Sequence, residues 1–216
     1  RRAYRGPRLL SQGFRPFFLA AAVWAALAQA IWLGMLAGRV DPPTAFDPVS
    51  WHVHEMIFGF IVATIAGFML TAIPNWTGRL PVRGAPLAGL ALIWLAGRLA
   101  VLVSATIGAG PAAAVDLAFL VAFCLFASRE LVAGKNWRNL PMAAALALLA
   151  AANAAMHAEV AGWADLDGAS WRLALAVVVM LVGLVGGRII PSFTRNWLAK
   201  NGGVSLPAPF GPVDGL

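Results

Sequence analysis

Six apolar runs alternate along the chain with short segments that hold almost all of its charge. A helix crosses the hydrocarbon of a bilayer in about 20 residues, so runs of this length are transmembrane spans. The pattern predicts an all-α fold, a polytopic membrane helix bundle. Its six transmembrane helices cover residues 17–37, 48–73, 87–107, 112–127, 140–157 and 173–190. These form one membrane domain over residues 1–200, and a Pro/Gly-rich tail follows from 201 to 216.

The second run has the most internal pattern. Asp47 is placed to cap its helix and Pro48 to start the first turn. His52, His54, Glu55 and Met56 follow, and the run then stays uncharged from Met56 to Ile73 before reaching Pro74. At about 100° per residue, Gly59, Ala63 and Gly67 share the face of His52, and small residues at that spacing let another helix come close. Met56 lies on that face as well. His54 points about 200° away, in line with Phe58, Ile61, Ile65 and Phe68. His52 is therefore expected to be the better-buried of the two, and a regular helix keeps the pair from chelating one ion.

Composition agrees with the spans: 61% of residues are hydrophobic and 12% charged, with mean hydropathy +0.79. The net charge of +7 would suggest nucleic acid in a soluble chain. Here the basic residues fall almost entirely on one side of the spans, with only Arg39, Arg98 and Arg172 elsewhere. That asymmetry is a topology signal, and it places both termini in the cytoplasm. Lipid is the partner it implies, and nucleic acid is excluded. The single cysteine, Cys124, lies inside an apolar run and can form no internal disulfide. The chain opens at Arg1 without a methionine, which suggests a piece of a longer protein.

This topology brings the three histidines of the chain to one depth. His52 and His54 open the second span on the outer side, and His157 closes the fifth on the same side. With Met56 they form a ligand set that suits haem iron or copper. The alternative is that histidines at helix ends simply hydrogen-bond to neighbouring loops. Zinc-protease, paired-cysteine, P-loop and dinucleotide-binding signatures are absent from the sequence. Arg98 and Asp116 are the charges lying well inside spans, and the tight turn at 104–111 makes their helices antiparallel neighbours. A salt bridge is expected between them, because either charge alone in a membrane is costly. Arg98 could instead hold an anion or a haem propionate.

The chain resembles the NnrS family of bacterial inner-membrane proteins. The likeness rests on Gly13-Phe14-Arg15-Pro16-Phe17-Phe18, on Trp51-His52-Val53-His54-Glu55-Met56-Ile57-Phe58-Gly59 and on Leu70-Thr71-Ala72-Ile73-Pro74-Asn75-Trp76-Thr77-Gly78-Arg79. It continues in Gly186-Gly187-Arg188, Ile190-Pro191-Ser192-Phe193-Thr194 and Asn196-Trp197-Leu198. The resemblance implies a haem- and copper-containing protein that lessens nitric oxide stress in denitrifying and pathogenic bacteria. Its partners would be nitric oxide or the metal species that nitric oxide generates. Family members look like twelve-helix proteins, so this chain would be the N-terminal six helices and its tail a linker to the rest. The second class the residues allow is a transporter or membrane-complex subunit without redox chemistry, with the intramembrane charges lining a path.

Overall fold

A computed structural model describes residues 4–203 and 205–208, so part of the basic N-terminus and most of the expected tail lie outside the described residues. Among the described residues the chain is helical, with six helices long and apolar enough to cross a membrane. They are α1 (Phe14–Leu36), α2 (Pro48–Thr77), α3 (Ala85–Leu102), α4 (Ala109–Ala133), α5 (Leu140–Val160) and α6 (Ala169–Lys200). The chain divides into two compact units, Arg1–Ala174 and Leu175–Leu216. The first contains α1 to α5 and the opening of α6. The second continues α6 to Lys200, with Pro191 inside the helix.

In the first unit, α1 lies antiparallel to α2 and buries Phe17, Ala21, Trp24 and Ala28, a stripe at helical spacing. The small residues of α2 admit it. A Cβ added at Gly59 would lie 2.8 Å from Trp24 Nε1, and one at Gly67 would lie 2.6 Å from the Phe18 ring. The close approach expected along Gly59, Ala63 and Gly67 is therefore present, and α1 is the partner. His52 lies on this same side and stacks on Trp32 of α1, with ring centroids 3.9 Å apart.

The structure departs from the regular helix expected in α2. After a cap in which Asp47 Oδ1 accepts from the Val49 and Ser50 amides, residues Pro48–His54 are α-helical. Glu55–Ile61 then winds as a π-helix, with i→i+5 bonds, and Val62–Thr77 resumes the α form. The wider turn moves the downstream seam by one residue. The line expected through Ile61, Ile65 and Phe68 runs instead through Val62, Ala66 and Met69, all fully buried.

Several boundaries also differ. α2 passes through Pro74, whose ring frees nearby carbonyls. Side chains take up neighbouring ones: Thr77 Oγ1 donates to Ile73 O at 2.8 Å and Asn75 Nδ2 to Thr71 O at 3.3 Å. The helix stops at Gly78, whose φ of 69° is left-handed and whose amide donates back to Pro74 O. α3 ends at Leu102, short of the expected 107, and Ser104–Ile107 forms a separate turn. The break releases Val101 O to accept from Thr44 Oγ1 at 2.9 Å, while Ser104 Oγ accepts from the Ala45 amide at 2.9 Å. These bonds fasten the α1–α2 loop over one end of the bundle and hold Phe46 there, buried. α4 runs past the expected 127 to Ala133, carrying Arg129 and Glu130 on its last turns.

Candidate functional site

Beneath Phe46, four helices contribute ionisable or amide side chains to one buried cluster, and α1 adds an indole. α2 supplies His54 and Glu55, α3 Arg98, α4 Asp116, and α5 Asn153 and His157, each at most 4% exposed. The antiparallel order explains the meeting. His54 is near the start of α2 and Asp116 near the start of α4, whereas Arg98 and His157 are near the ends of α3 and α5. All of them therefore fall at the same end of the bundle.

Arg98 is the hub. Its NH1 donates to Glu55 Oε2 at 2.9 Å and its NH2 to Asp116 Oδ1. The expected Arg98–Asp116 salt bridge is thus present, and Glu55 makes it a triad. Glu55 Oε2 also accepts from Trp24 Nε1 of α1 at 2.6 Å. Asp116 Oδ2 lies 3.0 Å from His157 Nε2 and 3.2 Å from His54 Nε2, and it accepts from Asn153 Nδ2 at 2.8 Å. His54 is bracketed by oxygen: Glu55 Oε1 is 3.1 Å from Nδ1 and Asn153 Oδ1 is 2.9 Å from Nε2. A ring with acceptors at both nitrogens satisfies them fully only as the imidazolium. Two carboxylates then face two cations, and the cluster closes as neutral, the condition under which buried charge is tolerated.

Close approach holds the helices in register. A Cβ at Gly97 would lie 2.8 Å from Asp116 Oδ1 and 3.1 Å from its Cα, so only glycine lets α3 reach α4 at this level. At Gly59 it would lie 2.8 Å from Glu55 Oε2. Glu55 and Gly59, four residues apart, lie side by side on α2, next to Trp24. Aromatic edges complete the enclosure, with the Phe46 ring 5.1 Å from His54 and 5.5 Å from His157.

His54, Asp116 and His157 each offer one ligand atom within 4.8 Å of the others, a geometry able to hold a metal ion. The other sequence candidates lie apart. His52 is half-buried against Trp32, and Met56 is half-buried outside the cluster. The expectation that His52 is the better-buried histidine is therefore corrected: His54 is fully buried. The reason is coverage. His52 meets α1 at the edge of the unit, whereas His54 is enclosed by α4, α5 and the loop carrying Phe46. The two histidines do point to different partners, as the helical spacing requires. Glu55, Asn153 and Trp24 were not singled out as site residues. Asn153 was signalled by being polar in an alanine-rich span and Glu55 by its place next to His54, whereas Trp24 left no such trace.

Six apolar helices and a neutralised ionic cluster near one end define a multi-pass membrane protein in contact with lipid. A family described as NnrS protein matches residues 8–214, nearly the whole chain. The chain belongs to that family. No curated protein and no solved structure shows significant similarity to it.

Proposed function

We propose that this protein is a metal-binding component of the bacterial response to nitric oxide, seated in the inner membrane with both ends in the cytoplasm. The observation that carries the metal reading is the convergence of His54, Asp116 and His157 from three helices. Two imidazoles and a carboxylate are a donor set suited to copper, and a bound copper would take the place of the proton on His54 Nε2. Hydrogen bonds from Arg98 to Asp116 Oδ1 and from Trp24 to Glu55 supply the outer partners that orient such ligands. A haem is better matched to His52, whose Nδ1 is buried without a protein partner. Met56 follows one turn later and stays a candidate for either centre. A bound copper or haem iron supplies the electron chemistry that nitric oxide requires and that protein side chains lack. The orientation rests on the one-sided distribution of arginine and lysine. The twelve-helix form of the family makes further C-terminal helices a partner of this half.

A second reading has its own support. Every ring nitrogen of His54 and every carboxylate oxygen of Glu55 and Asp116 already has a protein partner. A closed cluster of this kind also suits a transporter or complex subunit without redox chemistry. Haem absorbance and elemental copper, measured on protein purified from membranes, separate the two. The metal reading expects His54→Ala and His157→Ala to lose the same metal, while His52→Ala loses a different one or none. Loss of one and the same metal in His52→Ala and His54→Ala would show a shared ion and overturn the two-site arrangement. Wild-type protein with neither haem nor copper selects the second reading.

A further inference from the structure

At the end of the first unit opposite the histidine cluster, α2, α3 and α4 diverge around an open cavity of about 800 Å³. Arg79, Arg83, Arg129 and Glu130 line it, together with apolar side chains that include Leu90 and Phe126. Arg79 Nε donates to Glu130 Oε2, and Glu130 is otherwise buried, so this pair neutralises itself. Arg83 and Arg129 are exposed and remain as uncompensated positive charge over an apolar wall. Just before the lining residues Gly78 and Arg79, Asn136 Nδ2 donates to Trp76 O at 2.6 Å, tying the α4–α5 loop to the end of α2 by a bond that involves no ligand. At Gly134 a Cβ would lie 2.5 Å from Thr77 Cβ, so the two chain segments touch. The cavity is thus a preformed feature beside lipid-facing helices.

We propose that this cavity binds an anionic phospholipid, with the headgroup phosphate between Arg83 and Arg129 and an acyl chain along Leu90 and Phe126. The charge complementarity and the apolar wall together select an amphiphile over a soluble anion. Basic pockets between transmembrane helices at the positively charged face recognise lipid headgroups in this way. Arginine suits the task because its planar fork offers paired donors to phosphate oxygens. The Arg79–Glu130 pair lies beside the two arginines and keeps the carboxylate from repelling the phosphate.

The test is thermal unfolding of the detergent-purified full chain with added phosphatidylglycerol, phosphatidylcholine or inorganic phosphate. Phosphatidylglycerol is expected to raise Tm by roughly 5 °C at saturation, whereas phosphatidylcholine and inorganic phosphate leave it unchanged. The double variant Arg83→Gln with Arg129→Gln is expected to keep its starting Tm and lose the shift. The corresponding double lysine variant keeps part of the shift, and Arg39→Gln, an exposed charge at the other end, keeps all of it. An equal shift with phosphatidylcholine, or a full shift in the double glutamine variant, overturns the proposal. An equal shift with inorganic phosphate assigns the cavity to a soluble anion and overturns it as well.

Discussion

Replacing Arg98 by methionine removes the hub of the buried cluster while keeping similar bulk. Glu55 and Asp116 then retain their charges, with His54 as the sole cation between them. The wild-type sum is two negative against two positive charges, and the variant is left with a net negative charge in a site at most 4% exposed. Breaking a buried ion pair by deleting one partner costs about 3–5 kcal/mol, because the survivor stays desolvated. For a chain of 216 residues, at about 2–4 °C per kcal/mol, Tm should fall by roughly 6–20 °C. Asp116→Asn errs in the other direction, leaving Arg98 and His54 opposite Glu55 alone, and is expected to fall comparably. The double variant Arg98→Met with Asp116→Asn restores neutrality with Glu55 facing His54. It should therefore be more stable than the two single changes added together, by at least about 1 kcal/mol. Tryptophan fluorescence during heating of the purified protein follows all four forms. Strict additivity, or an Arg98→Met protein that melts like wild type and merely loses cofactor, would falsify the structural role of the triad.

Gly97→Ala should lower stability by about 1–3 kcal/mol through overpacking on Asp116, less a propensity gain of up to about 1. Gly89→Ala on the same helix meets nothing within 4 Å and should be neutral or stabilising, so equal Tm changes for the two refute the close-approach argument. Asp47→Ala removes the cap of α2 and should cost about 1 kcal/mol in denaturant or thermal unfolding at pH 7. Burial pushes the Asp47 carboxyl up, but hydrogen bonds from Ser50 and the Val49 amide outweigh it and hold the group below its ordinary value. Its contribution is therefore complete above about pH 4 and fades as pH falls through the lowered value, so the gap between Asp47→Ala and wild type should narrow as pH falls below the ordinary carboxylate range. Reporters fused after Lys135 and after Lys200 should read as cytoplasmic and one near Asp165 as periplasmic. The opposite result at Asp165 would contradict the antiparallel order that gathers His157 with His54.

The helices were legible because uninterrupted apolar runs in a membrane protein have few alternatives, and the Arg98–Asp116 pair because a tight turn fixes which helices are neighbours. Their ends were less legible. Pro74 and Pro191 read as stops but lie inside helices, since threonine and asparagine side chains or adjoining turns can absorb the freed backbone groups. The burial of His54 over His52 could not be read from α2 alone. It depends on which helices cover each face, and that is a tertiary fact. The one-residue displacement of the seam to Val62 and Ala66 was likewise hidden, because a helical wheel assumes the rotation per residue that Glu55–Ile61 abandons. Within the site, two histidines and an arginine were found from their chemistry and depth. Trp24 was missed because an indole N–H in an apolar span looks the same whether it meets lipid, another ring or a carboxylate.

The spacing of the charges along the chain also bears on how the protein is made. Glu55 leaves the ribosome first, Arg98 follows 43 residues later and Asp116 another 18 residues after that. An arginine in a span costs up to about 2.5–3.5 kcal/mol during insertion, the full figure applying at mid-helix, so α3, with Arg98 toward its end, enters lipid less readily as a solitary segment. Its counterions are on the helix inserted before it and on the helix inserted next. α2, α3 and α4 are thus expected to wait at the insertion site and leave it as a trio. Photo-crosslinking of nascent chains should show α3 gaining contact with lipid only after Asp116 has emerged, and later still when Glu55 is replaced by glutamine. The ion triad that holds the mature core would in this way also time its birth.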